Sequence, residues 1–265
     1  MKMITNSNIV LTGASSGIGL ETLKILAKGE GNRILAVART AEEKLTDFGE
    51  NVLAFNVDVG SEESVDRIFE KADELFGGEK IDIFYCNAGF PYYEEFNYAD
   101  WDRVKVMFDT NTLSPIYTYS KYLEHLDGRN GKLAFTVSAI GQMAMPGFAV
   151  YSATKFALHG FQQGIRLEMP KNVTLTCLYP VATNTNFFKV ANPVEFEKPF
   201  PVQQPDVVAR KMVKGIEKGK KTVSPCFLFA LSKVLMGICP PVRTFYWYLE
   251  KRKLERFKEK LKNME

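Results

Sequence analysis

An α/β protein built on a doubly wound parallel sheet is what this chain predicts. Six short apolar runs recur along it, most of them without polar alternation, as strands buried on both faces require. Segments of helical period separate the runs, the β-α rhythm of a parallel sheet covered on two sides. The composition adds a third observation. With 265 residues, 46% hydrophobic and 25% charged, there is enough apolar surface for one sizeable core.

The predicted strands, in order, are Ile9–Leu11, Ile34–Val37, Val52–Phe55, Ile81–Tyr85, Leu133–Val137 and Val173–Leu178. Helical segments are expected near 18–28, 61–76, 99–126, 149–168 and 205–218. Ser61, followed by Glu62 and Glu63, reads as an N-cap with acidic groups in the first turn. No repeat or low-complexity stretch divides the body, so residues 1–225 are expected to form one domain and 226–265 a C-terminal helical extension.

Composition excludes several classes. Cys86, Cys177, Cys226 and Cys239 are too few and scattered for a disulfide scaffold, and they form no CxxC pair. With only His125 and His159 beside them, no metal site is expected. No basic n-region and long apolar stretch opens the chain, so a cytoplasmic location is the expectation. The net charge of +3 is uneven: residues 220–265 carry 11 Lys/Arg against 4 Glu, leaving the body at −4. A mildly acidic body offers nucleic acid no basic face.

Between the first strand and the first helix stands Thr12-Gly-Ala-Ser-Ser-Gly-Ile-Gly19. Glycines there permit a tight turn and let the backbone approach a pyrophosphate at the positive helix N-terminus. The strand before and the helix after supply the context such a loop needs to read as a Rossmann-type dinucleotide site. The spacing, TGxxxGxG, resembles that of the classical short-chain dehydrogenases/reductases, NADP-preferring and hydroxysteroid-dehydrogenase-like in kind. The resemblance continues over roughly 7–225, with Asn87-Ala88-Gly89 after the fourth strand and Asp58-Val59 after the third. It implies cofactor contacts from Gly13, Ser15, Ser16, Gly17, Ile18, Gly19, Asp58, Val59, Asn87, Ala88 and Gly89, with Asp58 at the adenine.

Twenty residues past Gly19, where an NAD enzyme keeps an acid for the ribose 2′-hydroxyl, stand Ala38, Arg39 and Thr40. A guanidinium can clamp a 2′-phosphate bidentately, which points to NADP(H). The alternative is a solvated loop arginine.

Tyr151 and Lys155 lie four residues apart in a helical segment, hence on one face. A tyrosine is a weak acid/base near neutrality, and a neighbouring ammonium favours its phenolate. Tyr117 and Lys121 share that spacing, but only Tyr151 follows a strand that ends on a serine, Ser138, 13 residues earlier. The resemblance assigns Ser138 to the substrate oxygen, Tyr151 to proton transfer, Lys155 to the nicotinamide ribose and Asn111 to a proton relay. Asn111 could equally cap or kink a helix ahead of Pro115. After the sixth strand, Pro180 and Thr185 match the family's carboxamide loop, whereas Val181 replaces its glycine. A β-branched residue disfavours positive φ, so that loop's detail is not expected to transfer.

Phe90, Tyr92, Ile140, Met145, Phe148, Phe187 and Phe188 belong to segments expected to flank the reacting centre. Such a lining favours a large hydrophobic alcohol or ketone, steroid-, bile-acid- or lipid-like. Core packing is the competing reading of each aromatic. A 3-oxoacyl reductase and a catalytically silent NADP sensor are the competing functions. The family commonly pairs through the helices at 99–126 and 149–168, implying a homodimer or homotetramer.

The tail has two readings. Cys226–Cys239 is apolar but too short to span a bilayer, and Phe245–Tyr248 with a mixed-charge helix Glu250–Lys262 follows it. It is either a lid or dimer arm, or a peripheral membrane contact. Lys233 inside the run and the break at Pro240-Pro241 favour the lid or arm.

Overall fold

A computed structural model describes residues 3–192 and 194–264. The elements are β1 (Asn8–Thr12), α1 (Gly17–Leu26), β2 (Arg33–Ala38), α2 (Ala41–Lys44), β3 (Val52–Asn56), α3 (Glu62–Phe76), β4 (Ile83–Cys86), α4 (Trp101–Phe108), α5 (Ser114–Leu126), β5 (Gly131–Thr136), α6 (Ala149–Ile165), β6 (Val173–Leu178), β7 (Ala182–Thr183), α7 (Phe187–Ala191), β8 (Val202–Gln203), α8 (Pro205–Glu217), β9 (Thr222–Val223), α9 (Phe227–Ile238) and α10 (Pro240–Lys262). Seven strands pair in parallel in the order β3-β2-β1-β4-β5-β6-β9, and β7 pairs separately with β8. The doubly wound sheet is therefore as expected.

Successive residues along each strand point to opposite faces, and both faces are apolar. Val10, Leu35, Val37, Phe84, Leu133 and Phe135 join a core with α3, α5 and α6. Ile9, Leu11, Ile34, Ala36, Ile83 and Ala134 join another with α1 and α8. That is why the runs lack alternation. The strand order reverses between β1 and β4, which opens a crevice at their C-terminal ends.

Three expectations need correction. The long helix near 99–126 is two helices joined by a π-turn, Asp109–Leu113. Pro115 has no N–H to give the Asn111 carbonyl, so regular α bonding cannot continue there. The fourth strand begins at Ile83, not Ile81, because the Ile81 N–H donates to His125 Nε2 instead of entering the ladder. The last helix starts at Pro240 and takes in the aromatic run, with proline in the first turn where its missing N–H costs nothing.

Candidate active site

The glycine loop turns through Gly13, at φ +67°. A side chain on Gly19 would place its Cβ 2.0 Å from the Gly13 carbonyl oxygen, so glycine is required for the helix to meet the strand. Asn87 closes the crevice from the other side. Its amide nitrogen donates to the Thr12 and Gly13 carbonyls at 3.3 Å, and its Oδ1 accepts from Thr136 Oγ1 at 3.0 Å. The Asn87 and Ala88 N–H groups both donate to Thr12 Oγ1 at 3.1 Å. Three strand ends are locked by this one network.

Around it lies a cavity of about 710 Å³. Its walls include Gly13, Ser15, Ser16, Gly17, Ile18, Arg39, Thr40, Asp58, Val59, Asn87, Ala88, Gly89, Pro180, Val181 and Thr185. Of the expected cofactor residues, only Gly19 stands behind the wall, where it lets the loop close. Arg39 is exposed, and among the described residues no carboxylate pairs with it. Lys44, which sequence reasoning missed, lines the same end. The acids of that turn look away: Glu42 accepts from the Asn56 N–H and Glu43 from the Asn56 amide. Arg39 and Lys44 thus bring two cations to this end of the cavity, and Asp58 is the one acid on its wall among the described residues. Val181 does not adopt positive φ, as its branching demands.

Tyr151 and Lys155 face the cavity from α6, both nearly fully buried. Lys155 Nζ donates to the Thr136 carbonyl at 3.0 Å and lies 5.8 Å from the Tyr151 ring centre. Burial pushes Lys155 down to about 7. Burial also lifts Tyr151 far above the ordinary tyrosine range, which the Ser138 hydroxyl partly counters. Burial thus dominates at Tyr151, and the expected lowering by the ammonium does not arise. Thr136 was missed for a plain reason: a backbone carbonyl leaves no mark on residue type.

Ser138 lines the cavity at φ +112°, a conformation that side chains seldom take. Its hydroxyl accepts from the Ile140 N–H at 3.3 Å. Asn111 is wholly buried behind the wall. Its side chain accepts from the Phe90 N–H at 3.0 Å and donates to the Phe90 carbonyl at 2.9 Å and Thr154 Oγ1 at 3.2 Å. A Cβ on Gly89 would sit 2.9 Å from Asn111 Oδ1 and 3.4 Å from Lys155 Nζ, so the two groups share that small space. Kinking and positioning coincide at Asn111: it sits in the π-turn.

All of Phe90, Tyr92, Ile140, Met145, Phe148, Phe187 and Phe188 line the remaining half, with the Phe187 ring 5.7 Å from that of Tyr151. Tyr93, in the same segment as Phe90, is instead core, stacked on Phe196 at 3.9 Å. The tail contributes Leu228, Phe229, Ser232, Met236 and Tyr246 to the mouth. Tyr117 points elsewhere, its hydroxyl donating to Asp66 on α3. Such an arrangement can hold a dinucleotide against a buried hydroxyl and present both to an apolar compartment.

The short chain dehydrogenase family profile matches residues 7–195. A 3-dehydrosphinganine reductase from Danio rerio is 30% identical over 240 residues, covering 83% of this chain and 71% of that protein. An 11-beta-hydroxysteroid dehydrogenase from Pinus massoniana is 29% identical over 235 residues, 81% of this chain and 65% of that one. Among solved structures, an alcohol dehydrogenase from the archaeon Thermococcus sibiricus, complexed with 5-hydroxy-NADP, superposes with a TM-score of 0.70. It is 25% identical, and the match covers 82% of this chain and 95% of that chain.

Proposed function

The chain belongs to the short-chain dehydrogenases, a family of oxidoreductases, and on that premise we propose that it interconverts a ketone and a secondary alcohol on a large hydrophobic molecule, using NADP(H). The observation that carries the reading is the division of the cavity at Tyr151. Its cationic side chains, Arg39, Lys44 and Lys155, all lie on the dinucleotide side, while the other side is aromatic and aliphatic. A sugar or a phosphate ester would find no charged partner there, whereas a steroid- or sphingoid-like molecule would find matching apolar surface. The names of the relatives, a sphinganine reductase and a hydroxysteroid dehydrogenase, point the same way.

The α1 N-terminus and glycine loop would hold the pyrophosphate, and Arg39 with Lys44 the 2′-phosphate. When bound, the dinucleotide supplies or accepts the hydride. In the reducing direction the Tyr151 hydroxyl gives its proton to the substrate oxygen while Ser138 donates a hydrogen bond to that oxygen, offsetting the charge that develops on it. Lys155, fixed by Thr136, would hold the nicotinamide ribose and would stand beside the phenolate that Tyr151 becomes. Asn111 orients Phe90 and the floor beside Lys155.

The test is NADPH and NADH consumption with ketosteroids, bile-acid ketones, long-chain ketones and acyl-carrier thioesters. Preference for NADPH, and turnover of at least one large hydrophobic ketone, are expected. A lower KM for NADH, or turnover confined to the thioesters, would overturn the reading.

A further inference from the structure

Among the described residues, nothing covers the outer face of α9. Phe227, Leu228, Leu231, Val234, Leu235 and Ile238 project from it at helical spacing, each more than two-fifths exposed. Phe245, Tyr248 and Leu249 extend the patch along the first half of α10. A soluble monomer seldom shows so much contiguous apolar surface without a use for it. Lys233, the charge that interrupts this run in the sequence, does not interrupt the face: it turns back to donate to Gln142 Oε1 at 3.1 Å. The stripe is apolar from end to end.

Its border has a definite chemistry. The Arg243 guanidinium lies 4.9 Å from the Trp247 ring centre and that of Arg252 lies 5.9 Å from Tyr248. Neither has a carboxylate partner among the described residues. Aromatic rings with free arginines beside an apolar stripe are the groups that settle where hydrocarbon meets anionic headgroups. The helices are also firmly seated on the body. Trp247 Nε1 donates to the Ala144 carbonyl at 2.8 Å, and the Tyr246 hydroxyl to the Phe200 carbonyl at 2.9 Å. Leu228 belongs to the stripe and to the cavity wall, and exposed Phe200 lines the wall too. One rim of the cavity, its mouth on this side, thus lies in the apolar patch, where a second protein copy would stopper it but a fluid lipid surface would not. No helix among the described residues is long and apolar enough to cross a membrane.

From this we infer that α9 and the first half of α10 embed in the surface of a bilayer containing anionic phospholipid, with the cavity mouth turned toward the acyl chains. The route this offers to a hydrophobic substrate rests on the proposed reaction; the surface contact does not. Lipid contact requires no turnover to observe, so the two can fail separately.

The full chain is co-sedimented with phosphatidylcholine vesicles and with vesicles that also contain phosphatidylserine. It should bind both, more strongly with phosphatidylserine, and salt should weaken that preference. Replacing Leu231 and Leu235 together by Asp should lower binding at least about tenfold, since burying one leucine is worth that much. Arg243→Ala and Arg252→Ala should each reduce the preference for phosphatidylserine about fivefold at most. Unchanged melting temperature and NADPH binding in these variants show that the body is intact. The inference is overturned if the full chain sediments with neither vesicle, or if the double variant binds like wild type. It is equally overturned if the double variant merely converts a dimer to a monomer, because a second copy then covers the face.

Discussion

Tyr151 is buried against Phe148 and Phe187 with its hydroxyl beside Ser138, so Tyr151→Phe leaves the ring packing in place and removes the hydroxyl that carries the transferable proton. NADPH affinity by fluorescence titration should survive, while kcat falls by about 10²–10⁴-fold. Tyr117→Phe has the same spacing to a lysine and should leave kcat unchanged, because its hydroxyl meets Asp66 rather than the cavity. Lys155 makes a second prediction. Its folded value near 7 lies below the ordinary lysine range, so between pH 7 and roughly 10 the unfolded chain binds a proton that the folded chain does not. That group alone makes stability rise with pH across the window, with no further change below it. Lys155→Met should therefore melt above wild type at pH 6, and the gap should narrow toward pH 9. An equal gap at both values would show that Lys155 is not desolvated. At this scale the sequence marks side chains that the fold brings to one cavity, as at Tyr151, Lys155 and Arg39. It was silent at Thr136, which acts through a carbonyl, and at Lys44, which lines the cavity from a turn whose acids, Glu42 and Glu43, accept from Asn56.

Elements were legible in proportion to their burial on both sides. The apolar strands of the central sheet declare themselves, whereas β7, β8 and β9 are two-residue pairings that no periodicity can mark. The π-turn escaped because a widened turn keeps the helical spacing of its neighbours, and Pro115 alone hinted at a break. The glycine loop shows how tightly one element can be specified. In Gly19→Ala the new methyl meets the Gly13 carbonyl oxygen at 2.0 Å, so α1 must move away from β1. Stability should drop by about 1–3 kcal/mol in denaturant melts, with NADPH affinity falling further because the N–H groups of the α1 N-terminus lose their aim. Unaltered affinity would mean that the loop does not hold the pyrophosphate.

Taken whole, the molecule presents a second unpartnered surface, remote in sequence from the tail. Trp101, Val106, Leu113 and Phe156 are exposed on α4, the π-turn and α6, the segments through which the family resemblance implies pairing. Met107 and Tyr119, from the first of those segments, are core. A homodimer or homotetramer is expected by light scattering at micromolar concentration, and Phe156→Glu with Trp101→Glu should shift it toward monomer. A wild-type mass of one chain would remove this proposal.

The cavity draws its walls from chain segments as far apart as Gly13 and Tyr246, on both sides of the point where strand order reverses. Occupancy is consequently linked to unfolding of the entire sheet and not to the ordering of one loop. A dinucleotide that binds only the native chain adds RT ln(1 + [L]/Kd) to its stability, about 2.7 kcal/mol at a hundredfold excess over Kd. For a domain of this size that corresponds to a rise of roughly 5–10 °C in a single cooperative melt. NADPH should produce it, and Arg39→Ala should diminish it. A transition that splits in two, one part insensitive to NADPH, would show that the ligand grips a part of the sheet and leaves the rest to melt alone.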